Sequence, residues 1–285
     1  MIHTSRQLKA LVRNMSKGDS TKAQIIIRNY VMERFRERLS ISPYRSNLIL
    51  KGGTLVSAMI GLDNRSTMDV DATIKNLPLT EESVRKIVED IISVSIQDGM
   101  GFEIKSIFTI MEEADYPGIR VMLDTSLETM KTPLKIDFSS GDIITPGEIE
   151  YDFKLIFESR TIPVMAYNLE TVLAEKLETI LSRGTANTRM RDFYDIFALE
   201  MAQAHSIDNV VLRKAFNNTI EKRGSSAVVA DVDLIFSEIE NSPEIALLWK
   251  NYQRKFDYAA GVGFNEVMRA ARTLLNHCTS RADYV

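Results

Sequence analysis

KGGTLVSAMIGLDNRSTMDVDATI, residues 51–74, is the stretch on which the reading of this chain turns. The apolar run NLIL leads into its two glycines, TLVSAMIGL follows as a short helical pattern, and STMDVDATI then alternates polar and apolar residues strictly. The order predicts a strand, a helix and a second strand. In that second strand, residues two apart share a face, so Asp69 and Asp71 stand side by side while Met68, Val70 and Ala72 point the other way into a core. Two carboxylates so close repel each other unless a divalent cation sits between them, and hard oxygen ligands suit Mg²⁺ or Mn²⁺. The plain alternative is a solvent-facing strand edge.

A second alternating segment, LKIDFSSGD (134–142), sets Ile136 and Phe138 on either side of Asp137. As a sheet neighbour of the first strand it brings a third carboxylate to the same place, and three can hold the two metal ions that clamp an in-line phosphoryl displacement. Gly52, Gly53 and Thr54 answer a matching need. Glycines let backbone N–H groups approach phosphate oxygens, a hydroxyl adds a donor, and the helix that follows presents its positive end.

Outward from this centre, residues 6–17 and 21–39 read as helices, the second with Ser20 or Thr21 as its cap and Ile27, Val31 and Phe35 at four-residue spacing. LTEESVRKIVEDIISVSI is a helix capped by Thr80, with Val84, Ile87, Val88, Ile91 and Ile92 on one face. Strands are expected at 103–110, 119–124 and 133–138, and from about Asn168 the pattern is almost wholly helical: 169–183, 190–203, 207–221, 231–239, 243–257 and 263–276. This divides the chain into a mixed α/β part, residues 1–165, with a basic helical start, and a helical part, residues 166–285.

Composition narrows the class. The chain has 285 residues, 45% of them hydrophobic, one cysteine and three histidines. Cys278 has no internal disulfide partner and the histidines are scattered, so a metal would have to be held by carboxylates. With no run of 18 apolar residues and no apolar leader, a cytoplasmic protein without membrane spans is expected. The net charge of −4 hides a basic start: residues 1–51 carry eleven Lys or Arg against three Asp or Glu, a net of +8 that leaves −12 for the rest. Lys9, Arg13 and Lys17 share one helix face, as do Arg34 and Arg38, and such faces are either solvated surface or a phosphate-tracking patch for a polyanion such as RNA. Trp249, Tyr252 and Phe256 are spaced as a helical core face. KGGT is not a P-loop, GVGFNE lacks the third glycine of a dinucleotide fingerprint, and Ile74 stands where an EF-hand needs glycine.

Two segments of the helical part carry charge in telling places. On the helix from Leu169, Val172, Leu173, Leu177 and Ile180 form an apolar stripe, and Lys176 and Arg183 fall inside it. Either they meet an anion, such as nucleotide phosphates, or they snorkel outward at the stripe's edge. In TRMRDFYDIFAL, Asp192 and Asp195 share one side of a helix, with Met190, Phe193, Phe197 and Met201 on the other. Carboxylates so placed often simply favour a helix N-terminus.

The glycine pair, the Asp-x-Asp strand and the later strand carboxylate together resemble the nucleotidyltransferase (polymerase β-like) fold, here an α/β (α+β) domain with a helical C-terminal domain. LKGGTLVSAMIGLDNRSTMDVD, with AEKLETILSRGTANTRMRDFYDIF downstream, resembles the AbiEii-type toxins of AbiE abortive-infection toxin–antitoxin systems, over roughly residues 45–205. The string Arg65-Ser66-Thr67-x-Asp69-x-Asp71 is its most specific part. Thr54 stands where serine is more usual, and 14 residues separate it from Asp69, a little more than in many members. The resemblance implies a metal-dependent enzyme that moves a nucleoside monophosphate from an NTP, GTP for example, to an acceptor and releases pyrophosphate. It implies Asp69, Asp71 and Asp137 as metal ligands, with Lys176 and Asp192 completing the catalytic set. It places Gly52, Gly53, Thr54, Arg65, Ser66, Lys176, Arg183 and Arg191 around the nucleotide. In the cell it implies a growth-arresting toxin in phage defence, countered by a cognate AbiEi-like antitoxin and acting on an acceptor such as tRNA. Rival readings keep the chemistry on a small molecule or a protein, or keep NTP binding without turnover. Thr67 invites a further idea, phosphorylation by an antitoxin kinase, against a threonine chosen simply for β propensity.

Overall fold

The structure is a computed structural model that describes residues 1–110 and 117–279. Among the described residues, ten α-helices and seven strands form two compact units. The first comprises residues 1–58, 66–141 and 149–166, and the second 59–65, 142–148 and 167–285. Two short segments from within residues 1–165 therefore group with the helical unit, a division that a single boundary near 165 does not express.

The first unit is a seven-stranded mixed sheet with helices. Its strands are β1 (Leu48–Lys51), β2 (Asp69–Ile74), β3 (Met100–Ile110), β4 (Gly118–Leu127), β5 (Met130–Ser140), β6 (Ile149–Lys154) and β7 (Thr161–Ala166), in the spatial order β3-β4-β5-β2-β1-β7-β6. β3, β4 and β5 form an antiparallel meander, and β2 lies parallel to β5 and antiparallel to β1. Helix α3 (Gly52–Ile60) connects β1 to β2, and α4 (Glu81–Ser93) follows with Thr80 as its N-cap. The core-facing alternation of β2 is real from Val70 and Ala72 onward, both fully buried, but the ladder starts at Asp69. Met68, which precedes it, is 41% exposed rather than turned into a core.

Helix α1 (Ser5–Ser16) begins with a capping box between Thr4 and Gln7. Helix α2 (Ser20–Ile41) is capped by Asp19, whose carboxylate accepts from the N–H groups of Thr21 and Lys22, one position before the expected Ser20 or Thr21. The second half of α2, lying against β5 and β7, is buried all the way round. That overturns the reading of Arg34 and Arg38 as a phosphate-tracking face. Arg34 meets Glu33 and Glu37 at 2.6 Å, and Arg38 forks onto Asp98 at 2.7 and 2.8 Å. Burying cations is costly without partners, and here Arg34 and Arg38 meet carboxylates while Arg36 lies over the Phe153 ring. Lys9 and Arg13 on α1, and Lys17, its C-cap residue at φ 52°, are exposed.

The second unit contains α5 (Leu169–Arg183), α6 (Met190–Gln203), α7 (Asn209–Lys222), α8 (Val232–Glu240), α9 (Pro243–Lys255) and α10 (Phe264–Thr279). Side-chain caps start α5 (Asn168), α7 (Asp208) and α9 (Ser242, with Pro243 in the first turn). Leu173, Leu177, Phe193, Phe216, Phe236, Trp249 and Leu274 fill its core. Trp249 stacks on Tyr252 as the spacing suggests, while Phe256 lies at the helix cap. Met201, expected on the apolar side of α6, is 75% exposed, and the buried residues of that helix include Asp192 and Asp195.

Candidate active site

The acidic face of the first unit is built by strand register. Asp71 on β2 lies directly opposite Asp137 on the parallel strand β5, and Asp69 lies opposite Lys135. Adjacent strands run about 4.8 Å apart, so the three carboxylates share one small area. Gly52, the first residue of α3, has φ +65°, and a Cβ added there would stand 2.3 Å from the Asp71 carboxylate oxygen Oδ2. The backbone thus comes as close to Asp71 as a chain without a side chain allows. Burial, reinforced by the charges of Asp137 and Asp69, raises the Asp71 carboxyl above its ordinary value, with Lys51 and Lys135 pulling the other way.

Thr54 is fully buried, and its hydroxyl donates to the backbone carbonyl of Asp69 at 2.5 Å while accepting from the Arg36 guanidinium at 3.4 Å. Expected beside the phosphates, this hydroxyl braces the strand end that carries the aspartates, because a buried hydroxyl must find a partner within the fold. Asp137 accepts a two-pronged hydrogen bond from Arg120 at 2.7 and 2.8 Å, and Lys135 lies 2.5 Å from Asp69 and 3.8 Å from Asp137.

In the second unit Lys176 on α5 is buried, with its ammonium 3.0 Å from Asp192 and 2.7 Å from Asp195, both on α6. Asp195 also accepts from Arg65 at 2.6 Å, and Arg189 reaches Asp192 at 3.0 Å. Burial alone would raise the Asp195 carboxyl, yet Lys176 and Arg65 outweigh it and hold it below its usual value. Burial alone would lower Lys176, yet Asp195 and Asp192 keep it above its usual value. Lys176 therefore carries a fixed positive charge, and the anion its burial demands is supplied by α6. Arg65, expected at the triphosphate, is buried and engaged with Asp195, while Arg183 and Arg191 are exposed. For Arg183 this is the outward course open to a long basic side chain at the edge of an apolar stripe.

The structure thus groups Asp69, Asp71 and Asp137 with Gly52 and Thr54 in one unit, and Lys176, Asp192 and Arg65 in the other; Gly53 follows Gly52 in α3, and Ser66 and Thr67 precede β2 half-buried. Among the described residues, no three His, Cys, Asp or Glu side chains already converge as a metal-ligand set. The all-oxygen donors on facing strands nevertheless fit a hard divalent cation, and the closeness of Gly52 to Asp71 leaves room for no larger residue beside them. Lys51, Arg120 and Lys135 went unread as parts of these groups, while Asp195 is read beside Asp192 in the string Arg191-Asp192-x-x-Asp195. For Lys135 the signal was present, since Lys135-x-Asp137 puts both on one strand face; for the others, partners are known only once strands and helices are paired.

Among curated proteins no match is found. Two solved structures are similar, both from H. pylori. One, described as a candidate nucleotidyltransferase, shares 16% identity at a TM-score of 0.48, covering 90% of this chain and 96% of its own. The other, JHP933 from Helicobacter pylori, shares 17% identity at a TM-score of 0.48, covering 90% and 93%. The family model described as "Nucleotidyl transferase AbiEii toxin, Type IV TA system" matches residues 34–271, a span that takes in Asp69, Asp71, Asp137, Lys176, Asp192 and Asp195. By that match over most of its length the chain belongs to the AbiEii nucleotidyl transferase toxin family.

Proposed function

We propose that the acidic face of β2 and β5 transfers a nucleoside monophosphate from an NTP to an acceptor hydroxyl, with a divalent cation held by Asp69 and Asp71 and assisted by Asp137. The observation that carries this reading is the register that sets Asp71 opposite Asp137, with Asp69 two residues away on the same strand. When bound, Mg²⁺ or Mn²⁺ supplies charge neutralisation at the phosphates. The residues of the chain do the rest. Asp137 accepts the proton of the acceptor hydroxyl, the freed oxygen attacks the α-phosphorus in line, and the bond to the bridging oxygen breaks so that pyrophosphate leaves with the electron pair. The backbone at Gly52 and Gly53, at the positive start of α3, lies against phosphate oxygens, and positioning with charge neutralisation accounts for most of the catalysis. Lys176 and Asp192 complete the catalytic set as the family resemblance implies, with Lys176 kept cationic by its two carboxylate partners.

The same proposal assigns a cytoplasmic toxin of an abortive-infection system, opposed by an AbiEi-like antitoxin. It uses an NTP such as GTP and has tRNA as acceptor. Exposed Lys9, Arg13 and Lys17 support a polyanionic acceptor over a small molecule or protein. Among the described residues no helix is long and apolar enough to cross a membrane. Inducible expression in cells tests the assignment: the wild-type chain arrests growth, and Asp69→Ala and Asp137→Asn do not. Growth arrest persisting in both variants at equal protein levels rules out this acidic face as the source of toxicity.

A further inference from the structure

Each carboxylate of the acidic face lies opposite a cation on the neighbouring strand. Lys51 is opposite Asp71 in the β1–β2 pairing, Lys135 opposite Asp69 in β2–β5, and Arg120 opposite Asp137 in β4–β5. Three negative and three positive side chains therefore share one patch of sheet. Lys135 does more than pair once. Its ammonium lies 2.5 Å from Asp69 and 3.8 Å from Asp137, bridging two of the three carboxylates that would hold a divalent cation. Arg120 engages both oxygens of Asp137 with its planar fork. Neither cation is locked in. The Lys135 and Asp69 side chains are 27% and 31% exposed, and those of Arg120 and Asp137 30% and 20%.

These ion pairs keep a fifth to a third of their side-chain surface in water and are screened by it, so a divalent cation with its greater charge can displace them. The displaced groups are suited to what a nucleotide brings. Guanidinium and ammonium groups bind phosphate oxygens with the same donors that bind carboxylate, and a guanidinium fork does so two bonds at a time. We propose that Lys135 and Arg120 are triphosphate-binding residues held in reserve: they neutralise Asp69 and Asp137 in the nucleotide-free protein, and pass to the phosphate oxygens when a divalent cation takes the carboxylates. This deepens the nucleotidyltransferase reading of the same face and rests on it. The exchange conserves charge pairing, since each cation trades a carboxylate for a phosphate and each carboxylate trades a cation for the metal. It also couples the two ligands, so metal binding and nucleotide binding strengthen one another reciprocally.

The test measures binding rather than turnover. Mn²⁺ alone is titrated into the full chain by loss of the free-ion paramagnetic signal, and each of the four common NTPs is then titrated with Mn²⁺ present, by equilibrium dialysis. In Lys135→Met the competing ammonium is gone, so Mn²⁺ alone binds about fivefold more tightly, the fold-change expected for losing one solvent-screened ion pair. Binding of the nucleotide with Mn²⁺ weakens by about tenfold, and Lys135→Arg restores it. Arg120→Gln gives the same two opposite shifts from a different strand, and stands in if Lys135→Met fails to fold by circular dichroism. A merely structural role moves both affinities down together or leaves both alone, and either result with a binding-competent wild type overturns the exchange while leaving the active-site reading intact. A wild-type chain that binds neither Mn²⁺ nor any NTP overturns that reading and the exchange with it.

Discussion

Gly52 and Asp71 have to be read as a pair. At φ +65° any other residue is strained, and a Cβ at Gly52 would overlap the Asp71 carboxylate. Gly52→Ala is therefore expected to cost roughly 1–2 kcal/mol from the backbone alone, and to push Asp71 aside so that Mn²⁺ binding weakens even where folding survives. Urea unfolding and metal titration on one sample check both effects, and unchanged metal affinity would show that Asp71 does not hold the ion. Asp195 offers a different kind of test. It is buried between Lys176 and Arg65, so Asp195→Asn removes the carboxylate that these two buried cations share, leaving Lys176 with Asp192, and should cost about 3 kcal/mol in urea unfolding. Its carboxyl is held below the usual range, so its contribution is complete above the unfolded value of about 4 and is lost only as pH falls through the lower folded value. Lys176, held above its usual range, contributes fully below about 10.5 and loses that contribution only at still higher pH. The stability difference between wild type and Asp195→Asn should therefore stay level from about pH 5 to 9 and shrink below pH 4; a difference that halves between pH 7 and 5 contradicts this assignment. At this scale, what the sequence showed depended on distance along the chain. Asp69 and Asp71 stood out because alternation is local. The engagements of Arg65 and Thr54 did not, because Asp195 lies 130 residues from Arg65 and the Thr54 hydroxyl reaches a backbone carbonyl.

Helix α2 shows how periodicity can mislead. The recurrence of Arg34 and Arg38 looks like a basic surface stripe, yet both are buried against acidic partners. Arg38→Ala would leave Asp98 buried without its guanidinium, for an expected loss of about 3 kcal/mol or more. Replacing Lys9, Arg13 and Lys17 together by alanine should change stability by no more than about 0.5 kcal/mol per position, while flattening the salt dependence of any RNA binding. If instead the α1 variant unfolds easily and Arg38→Ala does not, the two helices have been assigned the wrong roles. The helices of the second unit were readable to within a few residues because their apolar spacing and caps agree. Strands β6 and β7 were missed. IEYDFK is short and largely exposed, and TIPVMA contains Pro163, which argues against a strand. β7 is paired to β1 at Leu50–Ala166, three residues past that proline.

Across the whole chain, sequence pattern and structure agree on a mixed α/β unit and a helical one, and the family match spans both. What pattern alone could not show is that residues 59–65 and 142–148 group with the helical unit, since membership is decided by contacts made far along the chain. Arg65 reflects that grouping, joining Asp195 and not the strand that begins four residues after it. The central claim is that the face made by Asp69, Asp71 and Asp137 transfers nucleotides. Its most direct test is to incubate the purified chain with Mg²⁺, total tRNA and each α-labelled NTP in turn, beside Asp69→Ala and following pyrophosphate release. The account predicts label on tRNA with one preferred NTP, an equal amount of pyrophosphate, and neither with Asp69→Ala. Label transfer that survives Asp69→Ala, or pyrophosphate-free NTP binding by the wild type, would contradict it.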